Sequence, residues 1–265
     1  MNLQNIKLIV SDMDGTLLRS NHELSPEFSL IHQKLIEKNI HFVPASGRQH
    51  SSITSYFKEN LQDMAIIAEN GTYVTFKGDE VFVDELDQKV VREIILQSRE
   101  IEGANLVLAG KKSAYIESKD ENFISFFQNF YSTNEQVDDL LKIENDQIIK
   151  IAIHHADGST NNLYPFFERF ENDNLNVVIS GELWMDIMNN GTNKGKALKE
   201  LQQNLNISSD ETMVFGDYMN DIEMLKLAKY SFAMKNAHPI VKNVANYETL
   251  SNDEDGVIEV IKKLL

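Results

Sequence analysis

The chain has 265 residues, more than the usual single domain, so one large α/β domain or a domain carrying an insertion is expected. With 42% hydrophobic and 25% charged residues, its composition is that of an ordinary globular protein and gives no reason to expect disorder. A formal net charge of −16 without a clustered Lys/Arg stripe excludes nucleic acid and anionic membranes as partners, and the absence of cysteine excludes disulfides, thiolate chemistry and sulfur-ligated zinc.

At the N terminus the short apolar run meets an Asp pair where a secretory peptide needs a continuous apolar core, so no export signal is expected. Nowhere do about 18 apolar residues run together, which leaves no membrane span and predicts a cytoplasmic protein. Residues 7–11 (KLIVS) read as a buried strand. A helix is predicted from Pro26, with Ser25 as N-cap and Phe28, Ile31, Leu35 and Ile36 on one face. Residues 40–45 (IHFVPA) form the next strand, and this βαβ alternation predicts an α/β fold with a doubly wound parallel sheet. Residues 65–68 give a further strand and Glu69-Asn70-Gly71 a turn. Residues 73–76 and 81–83 pair as a hairpin around Lys77-Gly78-Asp79.

From about residue 84 to residue 187 the pattern changes. Helical stretches at 88–100, 121–130 and 162–172 alternate with strands at 105–108, 113–117, 148–154 and 176–179, and no strand end carries an acidic or glycine-rich motif. Residues 84–187 are therefore expected to be an inserted α+β domain within a core made of residues 1–83 and 188–265. The βα pattern resumes with a helix at 194–204, a strand at 212–215, a helix from Ile222, a strand at 230–234 and a terminal helix at 257–265.

Asp12 and Asp14 follow directly on the first strand, which places both carboxylates at the carboxyl end of a parallel sheet, where open α/β folds bind ligands. Asp and Gly are also common in surface turns, but a turn does not require this particular string of residues. Asp12-Met13-Asp14-Gly15-Thr16, running into Leu17 and Leu18, resembles the DxDGT motif of the haloacid dehalogenase (HAD) superfamily and of its Cof-type phosphatases in particular. The resemblance covers essentially the whole chain. It implies a Rossmann-like HAD core with an inserted α+β cap, Asp12 as nucleophile and Asp14 as general acid/base. The chemistry is consistent: an ionised carboxylate attacks phosphorus while a second carboxyl protonates the leaving oxygen.

Ser46, in Ala45-Ser46-Gly47-Arg48, resembles the family's second motif, in which a hydroxyl bonds a phosphoryl oxygen. Gly47 would let the backbone approach the substrate, and Arg48 would face the substrate or form a structural salt bridge. Asn193-Lys194-Gly195-Lys196-Ala197-Leu198 resembles NKGxAL. It implies Lys194 as the catalytic cation, Asn193 beside the substrate and Lys196 in solvent. An acidic protein that binds a phosphate ester needs such a cation or a metal.

Gly216-Asp217-Tyr218-Met219-Asn220-Asp221 resembles GDxxND. The resemblance implies Mg2+ held by Asp12, Asp217 and the Asp14 backbone carbonyl, a donor set of hard oxygens. Asn220 and Asp221 would then hold waters or orient Asp217 and Lys194, although Asp221 also reads as a helix N-cap. Tyr218 stands where many relatives carry a small residue. Asn236 and Asp255 lie in segments that resemble structural marks of the family.

A cap of this kind excludes water and carries substrate choice. Glu182, Trp184 and Asp186, near its return to the core, are candidates for substrate binding, while Trp184 also reads as a core residue and His154 and His155 as structural. The expected function is Mg2+-dependent hydrolysis of a small phosphorylated metabolite (a sugar phosphate, nucleotide or cofactor phosphate) through a phosphoaspartate. The alternatives are a phosphotransferase or phosphomutase using the same aspartyl phosphate, and a non-catalytic phosphorylatable signalling module. Natural substrate and oligomeric state stay open.

Overall fold

The continuous apolar run Leu8–Val10 has no polar face to turn to water, and it forms the fully buried strand β1 (Leu8–Asp12). The computed structural model describes residues 3–58, 61–128, 130–172 and 174–265. After β1 come α1 (Phe28–Glu37), β2 (His41–Ala45), α2 (His50–Tyr56), β3 (Ala65–Ala68), β4 (Tyr73–Phe76) and β5 (Asp79–Val83). The middle of the chain forms α3 (Gln88–Arg99), β6 (Ala104–Gly110), β7 (Ala114–Ile116), α4 (Glu121–Phe127), β8 (Asn134–Gln136), β9 (Ile148–His155), α5 (Ser159–Asn162), α6 (Tyr164–Phe167), β10 (Leu175–Ile179) and β11 (Trp184–Asn189). The last stretch gives α7 (Lys194–Leu205), β12 (Thr212–Gly216), α8 (Ile222–Lys226), β13 (Tyr230–Ala233), α9 (Pro239–Val244), β14 (Tyr247–Glu248) and α10 (Gly256–Lys262).

The chain divides into two compact units, one of residues 1–82 with 193–265 and one of residues 83–192. Among the described residues the first unit holds an eight-stranded sheet ordered β14-β13-β12-β1-β2-β3-β4-β5. Strands β14 through β3 pair in parallel, and β4 turns back antiparallel on β3. After β1 the chain winds one way through β2 and β3, and after the insertion it winds the other way through β12 and β13. This reversal is the topological switch at which doubly wound α/β sheets place ligands, beyond the strands' carboxyl ends. Asp12 ends β1 opposite Ala45 of β2, and Ser11 lies opposite Phe215 of β12, so three motif-bearing strand ends meet on one edge.

The second unit holds a six-stranded sheet ordered β10-β11-β9-β6-β7-β8 among the described residues. One face packs with α3 and α6 in a core that includes Ile94, Leu108, Ile151 and Phe167, and the other packs with α4 around Val107, Ala109, Ala152 and Phe127. Among the described residues no helix is long and apolar enough to cross a membrane.

Local expectations shift in places. The regular helix starts at Phe28, two residues later than expected, although the Ser25 hydroxyl accepts the Glu27 N–H at 3.4 Å, as an N-cap does, while donating to Asp255 at 3.0 Å. The single helix predicted over 162–172 breaks into α5, α6 and a 3-10 turn at Glu168–Phe170, with Pro165 at the start of α6, where a missing N–H does no harm. Strand β11 runs past residue 187, since the Asn189 amide bonds Asp84 and Glu85 (2.8 and 2.9 Å) and the Thr192 hydroxyl bonds Asp84, closing the second unit on its own first residues.

Candidate active site

The loop after β1 is shaped by Gly15. Its φ of +79° suits glycine, and a Cβ there would lie 2.5 Å from Asp217 Oδ2, so both the turn and the approach of Asp217 need a residue without a side chain. Next in the chain, the Thr16 hydroxyl donates to Asp217 Oδ1 at 2.9 Å, while the Asn236 amide donates to the Gly15 carbonyl at 2.8 Å. The short residues of the first motif thereby join the strand ends of β1 and β12.

Lys194 enters from the first turn of α7 and is wholly buried. Its Nζ donates to Asp12 Oδ1 at 2.5 Å and to Asp221 Oδ1 at 2.7 Å. Burial alone would push the ammonium down, but the two carboxylates outweigh it and raise Lys194 above its ordinary value, so the cation is kept. Burial pushes the Asp12 carboxyl well up, against the pull of Lys194. Burial likewise raises Asp217, opposed first by the Thr16 hydrogen bond. Asp221 spends its other oxygen on the backbone N–H groups of Asp217 (2.9 Å) and Tyr218 (3.0 Å). The Asp221 side chain thus orders the Asp217 loop as well as holding Lys194. Gly216 makes room for it, because a Cβ there would come within 2.6 Å of the Asp221 Cβ.

Asp14 points elsewhere. Arg48 grips its carboxylate with Nε at 2.8 Å and Nη2 at 2.6 Å, and also donates to the Tyr56 hydroxyl at 3.0 Å. Partial burial would raise Asp14, but the Arg48 hydrogen bond and charge outweigh it and hold the carboxyl below its ordinary value. The salt bridge read for Arg48 is present. Ser46 is buried one residue beyond Ala45, and its hydroxyl accepts from the Arg48 N–H at 3.2 Å.

The other candidates lie as follows. Asn193 caps α7, accepting the Lys196 N–H at 2.9 Å, and Asn220 donates to the Asn70 side chain at 3.0 Å. Asn70 was readable only as a turn residue. It has a left-handed φ of 55°, its N–H donates to the Ser46 carbonyl at 2.9 Å, and its amide would lie 3.0 Å from a Cβ on Gly47. Glu182 and Trp184 belong to the second unit. Glu182 is exposed and its carbonyl accepts from Ser159, whereas Trp184 is half-buried among other aromatic rings. The expected structural parts are filled by Asp255, which takes Arg19 at 3.0 and 2.6 Å, and by the buried His155, whose Nε2 lies 3.1 Å from the Glu102 carbonyl.

One oxygen from each of Asp12, Asp217 and Asp221 falls within 4.8 Å of the others. Hard oxygens so close together in a buried acidic pocket suit a small divalent cation such as Mg2+. Asp221 is already engaged through both oxygens by Lys194 and the backbone, which leaves Asp12 and Asp217 as the carboxylates best able to hold a cation.

The family model of haloacid dehalogenase-like hydrolases matches residues 9–261. The chain is 35% identical to the 5-amino-6-(5-phospho-D-ribitylamino)uracil phosphatase YbjI of Escherichia coli (strain K12), with 98% of this chain and 96% of that protein covered. It is 27% identical to the 5-amino-6-(5-phospho-D-ribitylamino)uracil phosphatase YitU of Bacillus subtilis (strain 168), with 97% and 96% covered. The fold matches the crystal structure of a haloacid dehalogenase-like hydrolase from Bacteroides thetaiotaomicron with a TM-score of 0.85, at 26% identity over 98% of this chain and 100% of that one.

Proposed function

The chain belongs to the haloacid dehalogenase-like hydrolases and is a phosphoric monoester hydrolase, and from that premise we propose that it is a Mg2+-dependent phosphatase of small phosphorylated metabolites working through a phosphoaspartate on Asp12. The observation that carries this reading is the buried Lys194 Nζ held between Asp12 and Asp221, at 2.5 and 2.7 Å. A cation there favours the ionised Asp12 carboxylate against the pull of burial and neutralises charge on the incoming phosphoryl group.

Asp12 attacks phosphorus through one carboxylate oxygen, and the bond to the leaving oxygen breaks. Asp14, held ionised by Arg48 in the resting site, takes up a proton from the monoanionic ester as it binds, supplies it to that oxygen and later takes one from the water that attacks the aspartyl phosphate, releasing phosphate and restoring Asp12. Ser46 and the Gly47 backbone steady the phosphoryl oxygens, with Arg48 positioning Asp14. Asp12, Asp217 and the Asp14 carbonyl would hold Mg2+, which would neutralise phosphoryl charge when bound. Asn220, Asp221 and Asn193 keep the loops of this site in place. The second unit selects the substrate, with Glu182 and Trp184 as its candidate contacts. A cysteine-free acidic chain fits a cytoplasmic setting.

The two relatives direct the choice of first substrate to 5-amino-6-(5-phospho-D-ribitylamino)uracil. The test is phosphate release from this ester and a panel of sugar, nucleotide and cofactor phosphates with Mg2+, together with chemical trapping of the phosphoenzyme. Turnover and a trapped acyl phosphate are expected from the wild type, and neither from Asp12→Asn. Equal turnover by Asp12→Asn would overturn the mechanism.

A further inference from the structure

In the second unit, Trp184 of β11 lies directly opposite His154 of β9 in the strand register. Around this pair α4 and the residue group after it bring Phe123, Phe126 and Phe130. The Trp184 ring stacks on Phe126 (6.0 Å, 17°) and meets His154 (5.1 Å) and Phe130 (5.7 Å) edge-on. His154 also touches Phe123 and Phe126 at 5.3 and 5.2 Å. The cluster is open on one side: Phe126 and Trp184 are only half-buried, and Phe130 is 56% exposed.

Among the described residues, two polar atoms inside this cluster have no hydrogen-bond partner. His154 is 93% buried and its Nδ1 is unpaired, as is the shielded Trp184 Nε1, a group that can only donate. A buried polar atom without a partner destabilises the fold, and Leu or Phe at these positions would fill the same space without that cost. A plain hydrophobic core also has no use for a large ring left mostly in water. Burial lowers the His154 pKa, which keeps the ring neutral and able to accept or donate at Nδ1.

We propose that Phe126, Phe130, Trp184 and His154 form a binding site for a planar heteroaromatic ring bearing both carbonyl and N–H groups, as in a pyrimidinedione. Both atoms are shielded in the unliganded protein, so the ring enters as the rings of Phe126 and Phe130 part: it stacks on the aromatic faces, a carbonyl oxygen takes the Trp184 N–H, and a second edge group pairs with His154 Nδ1. A saturated polyol or sugar satisfies neither requirement. The site lies within the second unit and stands independently of the chemistry proposed for Asp12.

Trp184 is the sole tryptophan of the chain, so its fluorescence reports on this cluster alone. The experiment titrates full-length protein carrying Asp12→Asn with 5-amino-6-(D-ribitylamino)uracil, which has the ring but no phosphate, and with D-ribitol, which has neither. Saturable quenching by the ring compound and none by D-ribitol is expected. In the same background Phe130→Ala and His154→Leu should each weaken the ring compound roughly tenfold, the loss of one stacking face or one hydrogen bond. Calorimetry should show a similar loss for Trp184→Leu, while Trp184→Phe keeps the stacking and loses only the hydrogen bond. Phe130 is exposed, so its variant should fold normally, and circular dichroism checks this. Absence of saturable quenching at millimolar ring compound, equal binding of D-ribitol, or unchanged affinity in a folded Phe130→Ala protein would overturn the proposal. Phosphate release from the same ester by protein with Asp12 intact is scored separately, so ring binding without turnover would fault the proposed mechanism and turnover without ring binding would fault this site.

Discussion

Arg48 holds Asp14 through two nitrogens, at 2.8 and 2.6 Å, and so ties the end of β2 to the loop after β1. If Arg48 acts by positioning Asp14, then Arg48→Ala should behave as a milder Asp14→Asn. Its kcat on alkyl phosphates, whose leaving oxygen needs a proton, should fall by roughly ten- to a hundredfold, with a smaller loss on a nitrophenyl ester. Steady-state kinetics on the two ester types decides it. Equal losses on both, carried by KM, would mean that Arg48 acts on the phosphate directly.

Lys194 is the cation whose loss should be felt in folding as well as in rate. Lys194→Met leaves Asp12 and Asp221 buried and facing each other's charge, and breaking a buried pair in this way costs about 3–5 kcal/mol. Adding Asp221→Asn removes one of the stranded charges and should recover part of that stability with no recovery of turnover. Denaturant unfolding of the single and double variants reads the difference. A double variant less stable than Lys194→Met would refute the charge argument.

The parts of this site that sequence could reveal are those fixed by local pattern. Asp12, Lys194 and Asp217 sit at a strand end, a helix start and a second strand end, each visible in the run of apolar residues beside it, and the parallel sheet follows from βα alternation. Partner choice was not legible in the same way. That Arg48 meets Asp14, 34 positions away, depends on β1 and β2 being neighbours in parallel register. Asp221 as a helix cap and Asp221 as the buried brace of Lys194 give the same local sequence signal, and only tertiary placement separates them. Asn70 looked like any Asn-Gly turn, since nothing local says that its side chain will meet Asn220. The open side of the Trp184 cluster was equally hidden, because period-two patterning cannot tell which sheet face a short helix will leave partly bare.

In the second unit Arg99 joins Glu117 (2.7 and 2.6 Å) and Asp139 (2.7 Å). The Arg99 hydrogen bond holds the Glu117 carboxyl below its ordinary value, and the same is true of Asp139. A carboxyl whose pKa is depressed on folding stabilises the fold above its unfolded value, about 4, and that contribution is lost as pH falls through the folded value. Arg99→Gln should therefore unfold earlier than wild type near neutrality, by a small margin because the pair is partly exposed, and the margin should shrink as pH falls below about 4. Melting followed at neutral and acid pH tests this, using the transition of the second unit if the two separate. A margin independent of pH would sink the assignment.

Metal binding should depend on the shape of the loop that would receive the ion. Asp217 reaches its place only because Gly15 has no side chain; a Cβ there would sit 2.5 Å from Asp217 Oδ2 in a backbone with φ of +79°. Gly15→Ala must push Asp217 away or flatten the turn, and either change pulls apart the carboxylates of Asp12 and Asp217. The variant should bind Mg2+ at least tenfold more weakly and recover part of its activity when Mg2+ is raised, whereas Lys194→Ala should not be rescued by metal. Calcium should not replace Mg2+ in either protein. Its larger and looser coordination shell lets Asp12 chelate through both oxygens and turn away from phosphorus. Magnesium titrations of phosphate release, with calorimetry of metal binding, measure both effects. An unchanged Mg2+ requirement in Gly15→Ala, or comparable turnover with Ca2+ in the wild type, would show that Asp217 does not hold the metal in the way its place beside Gly15 suggests.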